Sequence, residues 1–109
     1  MEEKGQKEKK KLVRGVREVH GGLLYDIDTA TLLASDRYWD GHNWNRLGRN
    51  EYLYKTKNGR YFVRHVSYWE GENDRLEPCQ KEEAKEVFEK LTEKEVTYEE
   101  AFGEEPEEA

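Results

Sequence analysis

Asn58-Gly59 is the dipeptide that most constrains this chain. Tight hairpin turns need residues at positive φ, which Gly and Asn adopt at low cost. Here the pair separates residues 51–56 from residues 60–69, two runs rich in Tyr, Phe, Val and Leu that read as strands. A central hairpin of this kind commits the chain to an antiparallel sheet. Two registers are open. A two-residue loop pairs Thr56 with Tyr61 and Tyr54 with Val63. A three-residue loop with Gly59 as a bulge pairs Leu53 with Val63 and Tyr54 with Phe62. A one-residue slip exchanges the faces of a strand. The bulged form is favoured because it sets Leu53 against Val63.

The flanking segments add elements. Leu12, Val13, Val16 and Val19, in a basic frame, predict an edge strand over residues 11–19, ended by Gly21-Gly22. Leu23-Leu24-Tyr25 and Leu32-Leu33-Ala34 predict a second hairpin around the turn-forming Asp26-Ile27-Asp28-Thr29. A short helix beginning at Asp28 or Thr29 is the competing reading. Residues 40–50 and 71–78 read as loops. Ala84, Val87, Phe88 and Leu91 recur at i, i+3, i+4 and i+7 and predict an amphipathic helix over residues 79–92. Thr97 and Glu100 form a capping-box pattern, and Gly103 is a natural stop, so a second short helix follows. The expected fold class is α+β: a meander-like antiparallel sheet of three to five strands with one main and one short C-terminal helix. A single domain over 12–103 is expected, with a disordered basic arm at 1–11 and an acidic, solvated tail at 104–109.

Composition bounds the function. Charged residues make up 40% of the 109 and hydrophobic ones only 34%, so the thirteen aromatics must supply much of the core. No run approaches the roughly 20 apolar residues that cross a bilayer. The basic N-terminus lacks the apolar stretch of a secretory leader, and a single Cys makes no internal disulfide. A soluble, cytoplasmic protein without membrane contact is expected. The net charge of −6 is uneven: residues 1–20 hold seven Lys and Arg against four acids, whereas residues 80–109 hold four Lys against twelve Glu. That acidic third argues against general nucleic-acid affinity but leaves room for a local basic face.

Three stretches together carry a resemblance: Tyr25-Asp26-Ile27-Asp28-Thr29-Ala30, the run from Glu51 to Phe62, and Glu82-Glu83-Ala84. They are similar to a group of small, mostly uncharacterised proteins of phages, plasmids and bacterial genomes with a YDTxTA-like start, an ELYxTKxGxYF-like hairpin and an EEAxxW-like helix. The resemblance spans roughly residues 23–102. The sequence departs from the pattern at Ile27, where Thr is usual, at His65-Val66-Ser67, which replace a Gly-rich segment, and at Val87 or Phe88, which replace the helix aromatic. The resemblance implies a small antiparallel sheet with C-terminal helices. It also implies a mobile-element protein that acts by binding, as anti-CRISPR inhibitors do.

The remaining chemistry is sparse. Ten of the thirteen aromatics lie between Tyr25 and Trp69, interleaved with Arg37, Arg46, Arg49, Lys55, Lys57, Arg60 and Arg64. Such a block suits core packing, a protein interface, or stacking on single-stranded nucleic acid. His20, His42 and His65 share no ligand spacing. His42 beside Asp40 has the form of an oriented general base. Asp26, Asp28, Asp36 and Asp40 supply hard oxygens of the kind that bind Mg²⁺, though turn formation explains the first pair. Cys79 falls where a cap residue belongs. No nucleophile triad, P-loop or dinucleotide fingerprint is present.

The expectation is a non-enzymatic binding protein without cofactor or metal, acting on a protein partner as an inhibitor of a nucleic-acid-handling complex. Trp39, Trp44, Arg46, Arg49, Arg60 and Arg64 are the expected contacts, with helix Glu residues as a second patch. The alternative is a single-stranded nucleic-acid-binding module using the aromatic and basic hairpin. Either a monomer or a homodimer fits, since an edge strand at 11–19 is able to pair with a copy of itself.

Overall fold

The computed structural model describes residues 16–36, 49–67 and 74–109. The Asn58-Gly59 signal is realised as strands β4 (Arg49–Lys55) and β5 (Tyr61–Ser67). Their register pairs Leu53 with Val63 and Tyr54 with Phe62, the bulged form. Thr56 N–H donates to Arg60 O (2.7 Å), Gly59 N–H donates to Thr56 O (3.0 Å), and Gly59 has φ 86°. The three-residue loop therefore depends on glycine.

Three further strands complete this sheet: β3 (Thr31–Ser35), β6 (Arg75–Cys79) and the two-residue β7 (Glu93–Lys94). The antiparallel order is β6-β5-β4-β3-β7. It is a meander from β3 to β6, with the chain returning after the main helix to the free side of β3. Bulging between Leu32 and Ala34 turns both Leu33 and Ala34 into the same buried cluster.

The hairpin expected between residues 23–25 and 32–34 is not formed. Strands β1 (Arg17–His20) and β2 (Leu23–Asp26) pair with each other as a separate two-stranded sheet. Gly21 and Gly22 have φ 60° and 79°, so they form the two-residue turn and bring adjacent segments together. The Asp26 turn exists but joins the two sheets. Asp28 N–H donates to Asp26 Oδ1 at 2.9 Å and Thr29 N–H to Asp26 O at 3.3 Å. Of the strand expected over residues 11–19, β1 covers the part from Arg17 onward; residues 1–15 lie outside the described part.

Residues 71–78, read as a loop, contain most of β6. Leu76 is 2% exposed, and its burial fixes the strand. Pro78 is tolerated because β6 is an edge. Leu76 N–H, facing away from β5, donates to Glu18 Oε2 at 3.0 Å. The β1 side chain thus shields the edge that Pro78 also blunts.

Helix α1 (Lys81–Lys90) carries the expected stripe, with Ala84 and Phe88 buried and Val87 packed beside them. Its N-cap is Gln80 rather than Cys79, and Gln80 N–H donates to Glu83 Oε1 at 2.8 Å. Helix α2 (Tyr98–Phe102) has the expected caps: Glu100 N–H donates to Thr97 Oγ1 at 3.1 Å, and Gly103 closes it at φ 74°.

Successive residues of a strand face opposite sides. Tyr61 and Val63 of β5 join Leu33, Leu53, Phe88, Leu91 and Phe102 under the helices. Phe62 joins Tyr25 and Leu76 under the β1–β2 hairpin. The central sheet is therefore covered on both faces, which is why Tyr61, Phe62, Val63 and Arg64 are all buried. The fold is α+β.

Candidate functional site

Only part of the expected contact set falls among the described residues. Trp39, Trp44 and Arg46 lie outside the described residues, as does His42. Arg49 opens β4, its backbone opposite Ser67. Arg60 is exposed at the tip of the β4–β5 hairpin, its N–H donating to Thr56 Oγ1 at 3.0 Å. Arg64 is different: it is only 7% exposed. Its Nη2 donates to Asp74 Oδ2 at 2.7 Å, and the guanidinium lies 5.6 Å from the Tyr52 ring centroid. Arg64 is spent on holding β5 to the start of β6, so it offers no free contact. Its position on a doubly covered strand is the reason.

Aromatics of the hairpin are likewise committed to packing. Tyr25, Tyr61 and Phe62 are 6%, 6% and 0% exposed. Tyr54 stacks on Phe62 with centroids 5.2 Å apart, and Tyr25 meets Phe62 edge-on at 5.5 Å. Burial raises the Tyr54 phenol above its ordinary value, against the opposing pull of Arg64. Tyr61 Oη donates to Ala101 O at 3.0 Å and locks α2 to the sheet.

Candidate metal and nucleophile residues have structural employment. Asp26 forms its turn, and Asp36 Oδ1 accepts from Asn50 Nδ2 (3.1 Å) and Glu51 N–H (2.9 Å). His20 pairs with Glu18 at 2.9 Å, and His65 lies between Glu77 (2.8 Å) and Glu51 (3.5 Å). Among the described residues no group of three His, Cys, Asp or Glu is placed to hold a metal ion. The Cys79 thiol is pushed up to about 11, first by burial and then by Glu83 and Glu77, so it is protonated at neutral pH.

Two surfaces carry concentrated charge. The first is a depression of about 510 Å³ where α1, α2 and the C-terminal stretch meet. Glu82, Glu86, Glu89, Glu104, Glu105 and Glu107 line it. Its one cation, Lys85, is held by Glu104 at 2.8 Å and Glu82 at 3.5 Å. Glu104 also takes Lys81 at 3.0 Å, and these two hydrogen bonds bring its carboxyl down to about 2. Glu104, the first residue of the exposed tail, is thus tied to α1.

The second surface is a groove of about 480 Å³ at the hairpin end of the sheet. Lys55, Arg60 and Lys81 line it, with Tyr61, Pro78 and Phe102 among the apolar groups. Lys55 and Arg60 are legible in the sequence as basic residues flanking one turn. Lys81 is not, because only the packing of α1 brings it there.

No family model, curated protein or solved structure matches this chain. What the fold defines is a small α+β domain: a five-stranded sheet covered by two helices on one face and a β-hairpin on the other. Among the described residues no helix is long and apolar enough to cross a membrane.

Proposed function

We propose that this is a non-enzymatic binding protein that occupies a basic surface of a nucleic-acid-handling complex, as a mobile-element inhibitor of the anti-CRISPR kind does. The supporting observation is the acid-lined depression. Six Glu side chains gather there from the helix and the following stretch, and its single Lys is already ion-paired. Dense, one-signed charge on a rigid helix steers binding to a channel of opposite sign and competes with the polyanion that channel normally holds. Such a role implies a cytoplasmic setting and a protein partner. The single-strand-binding alternative loses support because Tyr61 and Phe62, which would stack bases, are core residues.

The test is capture from nuclease-treated host lysate by tagged wild type and by the triple variant Glu86→Lys, Glu89→Lys, Glu105→Lys. The expected result is one nucleic-acid-handling complex retained by the wild type, lost by the variant, and competed off by nucleic acid. Equal capture by the variant, or recovery of nucleic acid alone, rejects the reading.

A further inference from the structure

We infer that the groove at the hairpin end of the sheet, which adjoins the acidic face at the Lys81–Glu104 ion pair, is a binding site for a small phosphate monoester. Three cationic residues from three segments line it: Lys55 at the end of β4, Arg60 in the turn and Lys81 at the start of α1. This happens in a chain whose net charge is −6. The lining contains one carboxylate, Glu83, and that group already accepts the Gln80 N–H at 2.8 Å. A concave site lined by an excess of one sign of charge attracts the opposite charge, here an anion.

The chemistry selects among anions. A guanidinium fork with two ammonium groups suits a dianion carrying three acceptor oxygens better than a planar carboxylate. The size selects further. A groove of about 480 Å³ lies in the range of small-ligand sites and exceeds what bare phosphate fills. Tyr61 and Phe102 are 6% and 3% exposed, so they give a rigid floor rather than a stacking platform. The organic part of the ligand therefore rests against Pro78 and the turn at Gly59.

Glu104 is the built-in competitor. Its carboxylate holds Lys81 at 3.0 Å from outside the groove, and ligand binding draws Lys81 away from it. Removing the Glu104 charge should strengthen binding, an effect that a merely structural cluster of lysines would not show.

The experiment is an amide chemical-shift titration of the full chain at low ionic strength with O-phosphoserine, inorganic phosphate and a 5′-phosphorylated oligonucleotide. Expected are saturable shifts at Lys55, Arg60 and Lys81 with phosphoserine, and weaker binding of inorganic phosphate. Arg60→Gln should weaken phosphoserine binding about tenfold, the worth of one charge-assisted hydrogen bond. Glu104→Gln should tighten it about threefold. Both side chains are on the surface, so both variants fold. The inference is overturned if neither wild type nor Glu104→Gln shows saturable shifts. It is also overturned if Arg60→Gln leaves them unchanged, if inorganic phosphate binds as tightly as phosphoserine, or if only the oligonucleotide binds. The proposed partner binding reads out on Glu86, Glu89 and Glu105, so the two ideas fail separately.

Discussion

Replacing Asp74 by Ala tests whether Arg64 is a structural cation rather than a contact residue. The two side chains are 8% and 28% exposed, with Nη2 and Oδ2 2.7 Å apart. At an effective dielectric near 20, a pair at that distance attracts by about 6 kcal/mol before desolvation is counted. Desolvation offsets much of this, and deleting one partner of a buried pair typically costs about 3–5 kcal/mol because the other charge is stranded. Asp74 keeps some contact with water, so Asp74→Ala should cost about 3 kcal/mol. At a urea m-value of about 1.5 kcal/mol/M, the unfolding midpoint falls by about 2 M. Arg64→Met, which fills the same space without charge, should cost less. The double variant should regain at least about 2 kcal/mol relative to additivity. Urea unfolding followed by far-UV circular dichroism measures all three. A midpoint shift below about 0.5 M for Asp74→Ala, or additive costs in the double variant, refutes the reasoning.

Further outcomes follow from the titrating groups. The Glu104 carboxyl lies near 2 against an ordinary 4.5, so its contribution to stability is complete above pH 4.5 and is lost as pH falls toward 2. The Tm gap between wild type and Glu104→Gln should accordingly be constant near neutrality and close over that window; a gap that persists at pH 2 contradicts the ion-pair origin. The Lys85 ammonium, held by the same carboxylate, is raised, so its share is present below 10.5 and fades only above that. Cys79, pushed up to about 11 from 9.0, should react with iodoacetamide at pH 8 about a hundredfold more slowly in the folded protein than in urea, and equal rates would show the thiol to be ionised and accessible.

Local chemistry made several elements legible from residues alone. Asn58-Gly59 specified a bulged hairpin because one glycine at positive φ sets the pairing of every residue on both sides. Thr97, Glu100 and Gly103 bounded α2 through bonds spanning three or four residues. The Ala84, Phe88 and Leu91 stripe needed only helical periodicity to declare its buried face. Each of these signals is complete within one short segment.

The errors share the opposite character. Whether β2 pairs with β1 or β3 depends on competition between two turns, and Gly21-Gly22 won because a two-residue turn closes the smaller loop. Strand β6 owes its existence to the burial of Leu76 beneath a hairpin 50 residues earlier in the chain. Arg64 reads as a surface cation until the sheet is covered on both faces and Asp74 arrives beside it. Lys55, Arg60 and Lys81 become a groove only when α1 docks at the hairpin end. The sequence by itself determined the hairpin, the helices and the acidic third, since those follow from neighbouring residues. Strand order, the second covered face and the convergence of charges were decided by tertiary structure, because burial and electrostatics depend on distances that no local pattern encodes.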